Sequence, residues 1–258
     1  MVVVQSLWIG PELSLLEIYC IKSFLKFGMK FHLYTYEKVK NVPKGTILKD
    51  ANEILPKKEI FKLQETYLPF SDIWRYKLLY EKGGYWVDLD LIATKKFDFK
   101  ERYVFASERT IQEGLMKLKE PYVYQICVLK GPKGSKFFKE LYEKCMNRQK
   151  LSGHKNKDKT KYMRIMRELV DKYDYSKYVK GPETFCNLDW WYAKDAFMPL
   201  EKYRPKYGVK PQNLKNMFTK TYTIHLWRNL VTNKYKLDLN AKYDEKSLWE
   251  KIKKFIDN

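Results

Sequence analysis

Asp88 and Asp90 flank a single leucine at the end of an apolar run, Tyr85-Trp-Val-Asp-Leu-Asp90. Carboxylates at i and i+2 of a strand project to the same side. Such a pair makes a compact oxygen site for a hard divalent cation, which keeps open positions for diphosphate oxygens. Upstream, Asp72 and Arg75 stand three residues apart, and in a helix they share one face with Tyr76 and Leu79. One guanidinium and up to three carboxylates around a cation suit sugar hydroxyls and phosphates together. Taken singly these patterns are weak, because Asp-x-Asp recurs by chance and Asp–Arg at this spacing is commonly a surface ion pair. Their combination between Phe70 and Asp90 is the informative feature of the chain.

To work together, these side chains need a helix and a strand joined by a tight reversal, which Gly83-Gly84 allows. Ser71 is placed to cap a helix over residues 72–82, and residues 85–91 read as a strand with Trp86, Asp88 and Asp90 on one side. Residues 2–8 read as a first strand, closed by Gly10-Pro11. Leu15, Leu16, Ile18, Tyr19, Ile21, Phe24, Leu25 and Phe27 follow near helical spacing, with Gly28 as C-cap, and residues 31–36 form a second strand. Strand, helix, strand in this order opens a nucleotide-binding α/β unit, and open α/β sheets bind ligands at the carboxyl ends of their strands.

Further along, the expectation is a short strand at 47–48, a lysine-rich helical region reaching Tyr67, strands at 103–106 and 122–129, and a helix at 135–147. A polar loop at 151–161, a short strand or loop at 222–227 and an amphipathic helix at 244–256 complete the pass, which finds no internal repeat.

Of the 258 residues, 45% are hydrophobic, enough for a core and against disorder as the main state. The net charge of +20 draws anions: nucleic acid, an anionic membrane, or a nucleotide diphosphate. The lysines are spread along the chain without an arginine-rich segment, which argues against nucleic acid. Aromatics at 16% suit carbohydrate or nucleotide pockets and equally a compositional bias. Cys20, Cys127, Cys145 and Cys186 lie far apart with no C-x-x-C spacing, so neither a zinc site nor a disulfide framework is indicated. They read as reduced, buried thiols. No apolar run approaches the roughly 20 residues of a membrane span, nor is there a signal-peptide core. The expected protein is soluble and cytoplasmic, with at most peripheral contact with an anionic membrane.

The run S-D-x-x-R-Y-x-x-L-Y-x-x-G-G-x-x-x-D-x-D from Ser71 to Asp90 resembles the signature of glycosyltransferase family thirty-two. Its relatives include yeast Golgi mannosyltransferases, galactosyltransferases, bacterial capsule enzymes and the glucosyltransferase domains of large clostridial toxins. The resemblance implies an α/β fold of the GT-A type, a Rossmann-like mixed sheet flanked by helices, over residues 1–258 as one domain with a C-terminal helical region. It also implies a nucleotide-sugar donor, Mn2+ or Mg2+, and hexose transfer with retention to a glycan, glycolipid or protein acceptor, as in polysaccharide biosynthesis. By carry-over, Asp90 binds the metal, Asp88 binds ribose and metal, and Asp72 and Arg75 hold the donor sugar's hydroxyls.

Trp8, in Ser6-Leu-Trp-Ile-Gly10, resembles the family's early tryptophan that stacks on the donor base, which favours UDP; it reads also as a Trp packed at a strand end. His225-Leu-Trp227 resembles the C-terminal element that closes over the diphosphate, with His225 adding a metal or phosphate contact; a satisfied strand histidine is the equal alternative. Residues 123–138 and Gly181-Pro182-Glu183 resemble later family segments, with Gln125 where an Asn is expected. His32 and His154 read as structural and solvated. No carboxylate stands out as a nucleophile, which fits a same-face internal-return mechanism. Two readings from other classes stand beside this one. One is metal-dependent nucleotidyl or phosphoryl transfer, for which no P-loop or Gly-Ser element is present. The other is a non-catalytic basic protein binding nucleic acid or anionic glycan on aromatic platforms.

Overall fold

The computed structural model describes residues 1–63, 65–111, 122–152, 161–207 and 214–258. Its strands are β1 (Val3–Trp8), β2 (Lys30–Thr35), β3 (Ile47–Asp50), β4 (Gly84–Val87), β5 (Leu91–Ala93), β6 (Val104–Arg109), β7 (Tyr122–Gly131) and β8 (Thr223–His225). The longer helices are α1 (Leu15–Lys26), α2 (Leu68–Glu81), α3 (Lys136–Ser152), α4 (Lys161–Lys172) and α5 (Leu248–Asp257). Six strands form one mixed sheet in the order β3-β2-β1-β4-β7-β6, and β5 pairs with β8 separately. The pairs among β1, β2, β3 and β4 are parallel, while β7 runs antiparallel to β4 and β6. This is the mixed sheet flanked by helices that the resemblance implies.

Side chains alternate across the sheet and feed two cores. Val4, Phe31, Leu33, Tyr85 and Val87 pack with the buried sides of α1 and α5. Leu7, Tyr34 and Trp86 pack with α2, α3 and α4. Helix α1 begins in a capping box, where the Ser14 amide donates to Glu17 Oε2 at 2.8 Å. It closes at Gly28, whose amide donates to the Leu25 carbonyl at 2.9 Å with φ of +70°.

Around the site the local structure departs from the sequence expectation. Helix α2 starts at Leu68, because Pro69 occupies its first turn and is preorganised for helix. Ser71 therefore lies inside the helix instead of capping it. The lysine-rich stretch after β3 forms two 3-10 turns, Ala51–Glu53 and Lys57–Glu59, with Pro56 between them interrupting any longer helix. The strand expected at 85–91 is two strands: β4 stops at Val87, residues 88–90 turn, and β5 joins β8. Both ends of that turn are held by backbone, Asp88 N–H to the Cys127 carbonyl and Leu226 N–H to the Asp90 carbonyl, each at 2.9 Å. The closing helix starts later than expected, at Leu248, capped by Ser247. The expected polar loop falls largely on residues 153–160, outside the described residues, as does His154. Among the described residues no helix is long and apolar enough to cross a membrane.

The reversal between α2 and β4 depends on Gly83. Its φ is +68°, and a Cβ there would stand 2.4 Å from the Lys133 backbone nitrogen. Gly28 has a similar φ of +70° but open space around it. Gly28→Ala should therefore cost only the left-handed strain, about 1–2 kcal/mol, while Gly83→Ala adds a backbone clash. Urea denaturation should rank Gly83→Ala as clearly the less stable of the two; equal losses would show that the close approach to Lys133 is not maintained.

Candidate functional site

The ends of β1 and β4 open on a cleft of about 470 Å³ lined by Trp8, Ser71, Arg75, Trp86, Asp88, Asp90 and Arg228, among others. It lies at the carboxyl ends of parallel strands, where open α/β sheets place their ligands. Helix α2 brings Arg75 to its floor, 2% exposed. A guanidinium has five N–H groups, and each has an acceptor here. Nε donates to the Ser71 carbonyl at 3.3 Å, and Nη1 donates to Asp88 Oδ1 and the Ile126 carbonyl, both at 3.0 Å. Nη2 donates to Ser71 Oγ at 3.3 Å and lies 3.0 Å from Asp72 Oδ1. The guanidinium also sits 4.6 Å above the Trp86 ring. Trp86 Nε1 donates to the same Asp88 oxygen at 2.7 Å, so Arg75 and Trp86 together fix that carboxylate.

Asp90 belongs to a second group. Its Oδ2 accepts from the Arg228 amide at 2.8 Å. Its Oδ1 lies 3.3 Å from His225 Nε2, an ion-pair distance, and this buried oxygen accepts no well-formed hydrogen bond among the described residues. Behind it Trp227 stacks on His225, ring centroids 3.8 Å apart, and donates its indole N–H to the Leu188 carbonyl at 2.7 Å. Trp227 holds a φ of +55°, a strained backbone for a bulky residue that costs about 1–3 kcal/mol. The strain sits one residue before the amide that Asp90 accepts. The Arg228 side chain donates from Nε to Glu17 of α1 and lies over Trp8, 5.3 Å from its ring.

The two aspartates titrate in opposite directions. Burial raises the Asp88 carboxyl, with Arg75 pulling down and the Asp90 charge pushing up. Burial acts upward on Asp90 too, but the His225 charge and the Arg228 amide outweigh it, so the carboxyl sits below its ordinary range. Burial alone would lower His225, yet the Asp90 charge carries it well above the usual histidine value. Asp72 is pushed up to about 6, chiefly by burial, although Arg75 is adjacent. Arg75 shares its charge with Asp88, and desolvation wins at Asp72.

The structure brings Asp72, Arg75, Asp88, Asp90 and His225 together at one end of the sheet, but not all face the cleft. Asp72 lies behind Arg75, and His225 and Trp227 lie behind Asp90, none of them among the lining residues. The committed donors of Arg75 leave it none for a sugar hydroxyl in this arrangement. Asp88, Asp90 and His225 each offer a ligand atom within 4.8 Å of the others, so this donor set fits a cation. Trp8 lines the cleft with its indole N–H buried and unpartnered among the described residues. Gln125 turns away to Glu108, donating to its carboxylate at 2.7 Å.

Sequence reasoning passed over Arg228 and Glu17. Arg228 directly follows His225-Leu-Trp227, and the Ser14-to-Glu17 spacing is a capping-box signal, but only folding joins the two. Sequence also kept Cys127 and Cys186 apart; the structure places their sulfurs 3.5 Å from each other.

Residues 17–109, which contain most of α1, all of α2 and both aspartates, match the family described as glycosyltransferase sugar-binding region containing DXD motif. No curated sequence matches the chain at a significant level. Among solved structures it is similar to one titled PaToxG Glycosyltransferase, with a TM-score of 0.43 and 13% identity over 67% of this chain and 74% of that one, too distant a likeness to decide substrate or mechanism.

Removing Arg75 should expose the energetic stake of its network. Arg75→Met leaves the buried Asp72 without its ion-pair partner and Asp88 with the Trp86 indole alone, and breaking a buried pair typically costs about 3–5 kcal/mol. Chemical denaturation at neutral pH reads it; a loss below about 1 kcal/mol would mean the pairs behave as solvated surface pairs.

Proposed function

We propose that this chain is a DXD-type glycosyltransferase that moves a hexose from a nucleotide-sugar donor, UDP-sugar favoured, to a glycan, glycolipid or protein acceptor in a cation-dependent reaction that retains anomeric configuration. The observation that carries it is Asp90 Oδ1, a buried carboxylate oxygen without a hydrogen bond, beside Asp88 at the cleft. The Asp90 charge has His225 behind it at 3.3 Å, and its Oδ1, which accepts no hydrogen bond among the described residues, keeps lone pairs for a cation. Hard oxygen donors suit Mn2+ or Mg2+; Asp90 and Asp88 would hold the ion, and His225 would support Asp90 from behind. A divalent ion there supplies the positive charge that offsets the departing diphosphate.

The remaining roles fall to the chain itself. Trp8 presents an aromatic wall on which a nucleobase can stack. Arg75 and Trp86 hold one Asp88 oxygen and leave the other without a hydrogen bond among the described residues. Asp72 acts through Arg75 as a positioning residue. Arg228, anchored by Glu17, places a guanidinium at the cleft beside Trp8, suited to a diphosphate. Among the described lining residues the carboxylates are Asp88 and Asp90, and both are engaged at the cation site. No lining carboxylate is then left to form a glycosyl-enzyme, which supports the same-face internal-return route to retention. Buried thiols support a cytoplasmic setting, and the net charge of +20 supports peripheral contact at anionic membranes.

A thermal-shift panel of UDP, GDP and CDP with and without Mn2+ tests this reading. One nucleotide at about 100 times its Kd should raise Tm by roughly 5–10 °C in the presence of metal. Asp90→Ala and Asp88→Ala should abolish that shift and turnover while folding normally, and Trp8→Ala should weaken nucleotide binding. No shift by any nucleotide, together with salt-steep, metal-independent binding to polyanions, would instead establish a basic binding protein. Full turnover in Asp90→Ala would remove the assigned cation site.

A further inference from the structure

Directly behind Asp90 lies a second donor cluster, whose two thiols the transfer reaction does not use. Cys127 on β7, Cys186 just past the short helix Pro182–Phe185, and His225 on β8 are 0%, 1% and 4% exposed. Cys127 Sγ stands 3.5 Å from Cys186 Sγ, and Cys186 Sγ stands 3.7 Å from His225 Nδ1. All three donor atoms lie within 4.8 Å of one another. A tetrahedral zinc with Zn–S of about 2.3 Å and Zn–N of about 2.0–2.1 Å has edges of about 3.8 Å between sulfurs and about 3.6 Å between sulfur and nitrogen. The Cys127–Cys186 and Cys186–His225 separations match those edges to within a few tenths of an ångström. Two thiols and an imidazole are also the soft and borderline donors that select zinc or copper(I) over magnesium or manganese.

The scaffold holds these donors in place. The Cys127 carbonyl accepts the Asp88 amide at 2.9 Å, and the Cys186 amide donates to the Pro182 carbonyl at 2.8 Å. Thr223 Oγ1 of β8 donates to the Phe185 carbonyl at 2.8 Å, tying the Cys186 segment to the His225 strand. His225 then has two distinct sides, Nδ1 toward the sulfurs and Nε2 toward Asp90, 3.3 Å away. A histidine that gives one nitrogen to a metal and the other to a carboxylate is the usual outer-shell arrangement of metal sites.

We propose that Cys127, Cys186 and His225 Nδ1 form a binding site for a thiophilic d10 cation, with zinc(II) as the probe, separate from the hard-cation site at Asp88 and Asp90. Binding deprotonates both thiols and the Nδ1 of His225, the three protons pass to solvent, and no electron is transferred. The three donors fill a trigonal site or three corners of a tetrahedral one. The bound ion fixes the His225 ring, so that Nε2–H faces Asp90 and His225 supports the front site from behind.

The test uses the full chain, made without a polyhistidine tag in zinc-supplemented medium and dialysed against metal-free buffer. Elemental analysis should find about one zinc per chain. Asp88→Asn should retain it, and the double variant Cys127→Ser/Cys186→Ser should lose it. Asp90→Asn, which removes the carboxylate behind the imidazole, should weaken zinc affinity about 10–100-fold. Cobalt(II) bound to the wild-type chain should show thiolate-to-cobalt charge transfer and intense tetrahedral visible bands, a readout that holds even if the serine variants fail to fold. Three results would overturn the proposal: zinc retained in a folded serine double variant, no thiolate–cobalt absorption in the folded wild type, or an intact mass two hydrogens light that marks a Cys127–Cys186 disulfide.

Discussion

A guanidinium that is 2% exposed cannot be left with a donor unpaired, and the arrangement of this site follows from that requirement at Arg75. Losing water costs a charged group several kcal/mol, recovered only when its geometry is met on every side. Arg75 meets it with acceptors from three places: Ser71 and Asp72 one turn away on its own helix, Asp88 beyond the glycine reversal, and the Ile126 carbonyl on β7. Each partner fixes an element. Helix α2 must lie with this face toward the sheet, β4 must stop where Asp88 can turn back, and β7 must present a carbonyl at that height. The Trp86 ring beneath the guanidinium closes the remaining side.

The break in the strand after Val87 has a consequence of its own. A continuous strand would carry Asp88 and Asp90 in one row and bind both to a single set of neighbours. With the turn, Asp88 faces the α2 network, while Asp90 faces β8 and the segment after it. The two carboxylates converge on one cleft and yet have separate supports, which is why burial and neighbouring charge drive their protonation in opposite directions. On the Asp90 side the support is backbone strain at Trp227 and an amide from Arg228. Strain of this sort persists only where the surroundings over-determine it. Here they do, through ring stacking on His225 and the indole bond to Leu188.

Charge is distributed unevenly between this site and the rest of the molecule. The chain as a whole carries +20, while Asp72, Asp88, Asp90 and Glu17 gather at one end of the sheet. A basic exterior draws anionic ligands toward the protein from several ångströms out. In the proposed reading the acidic centre would hold them only with a cation in place, so that steering and capture would fall to different groups.

The run from Ser71 to Asp90 was readable as a site because its chemistry is local: a helix face, a glycine reversal and two carboxylates within twenty-odd residues obey short-range rules of spacing. The order of strands and helices was readable for the same reason, through hydrophobic period and turn residues. Element ends were less so. Ser71 looked like a cap, but Pro69 starts the helix earlier, and Asp88 looked mid-strand, but long-range bonds to Cys127 and Leu226 end the strand before it. Only the tertiary structure could decide what lies behind the motif. Glu17 meets Arg228 and Cys127 meets Cys186 across separations that spacing in a single sequence does not encode, since such contacts depend on the stacking of whole elements. The sequence thus singled out Asp72, Arg75, Asp88, Asp90 and His225 as candidates, and the packing of β7, β8 and α1 decided which of them face the cleft and which hold the others in place.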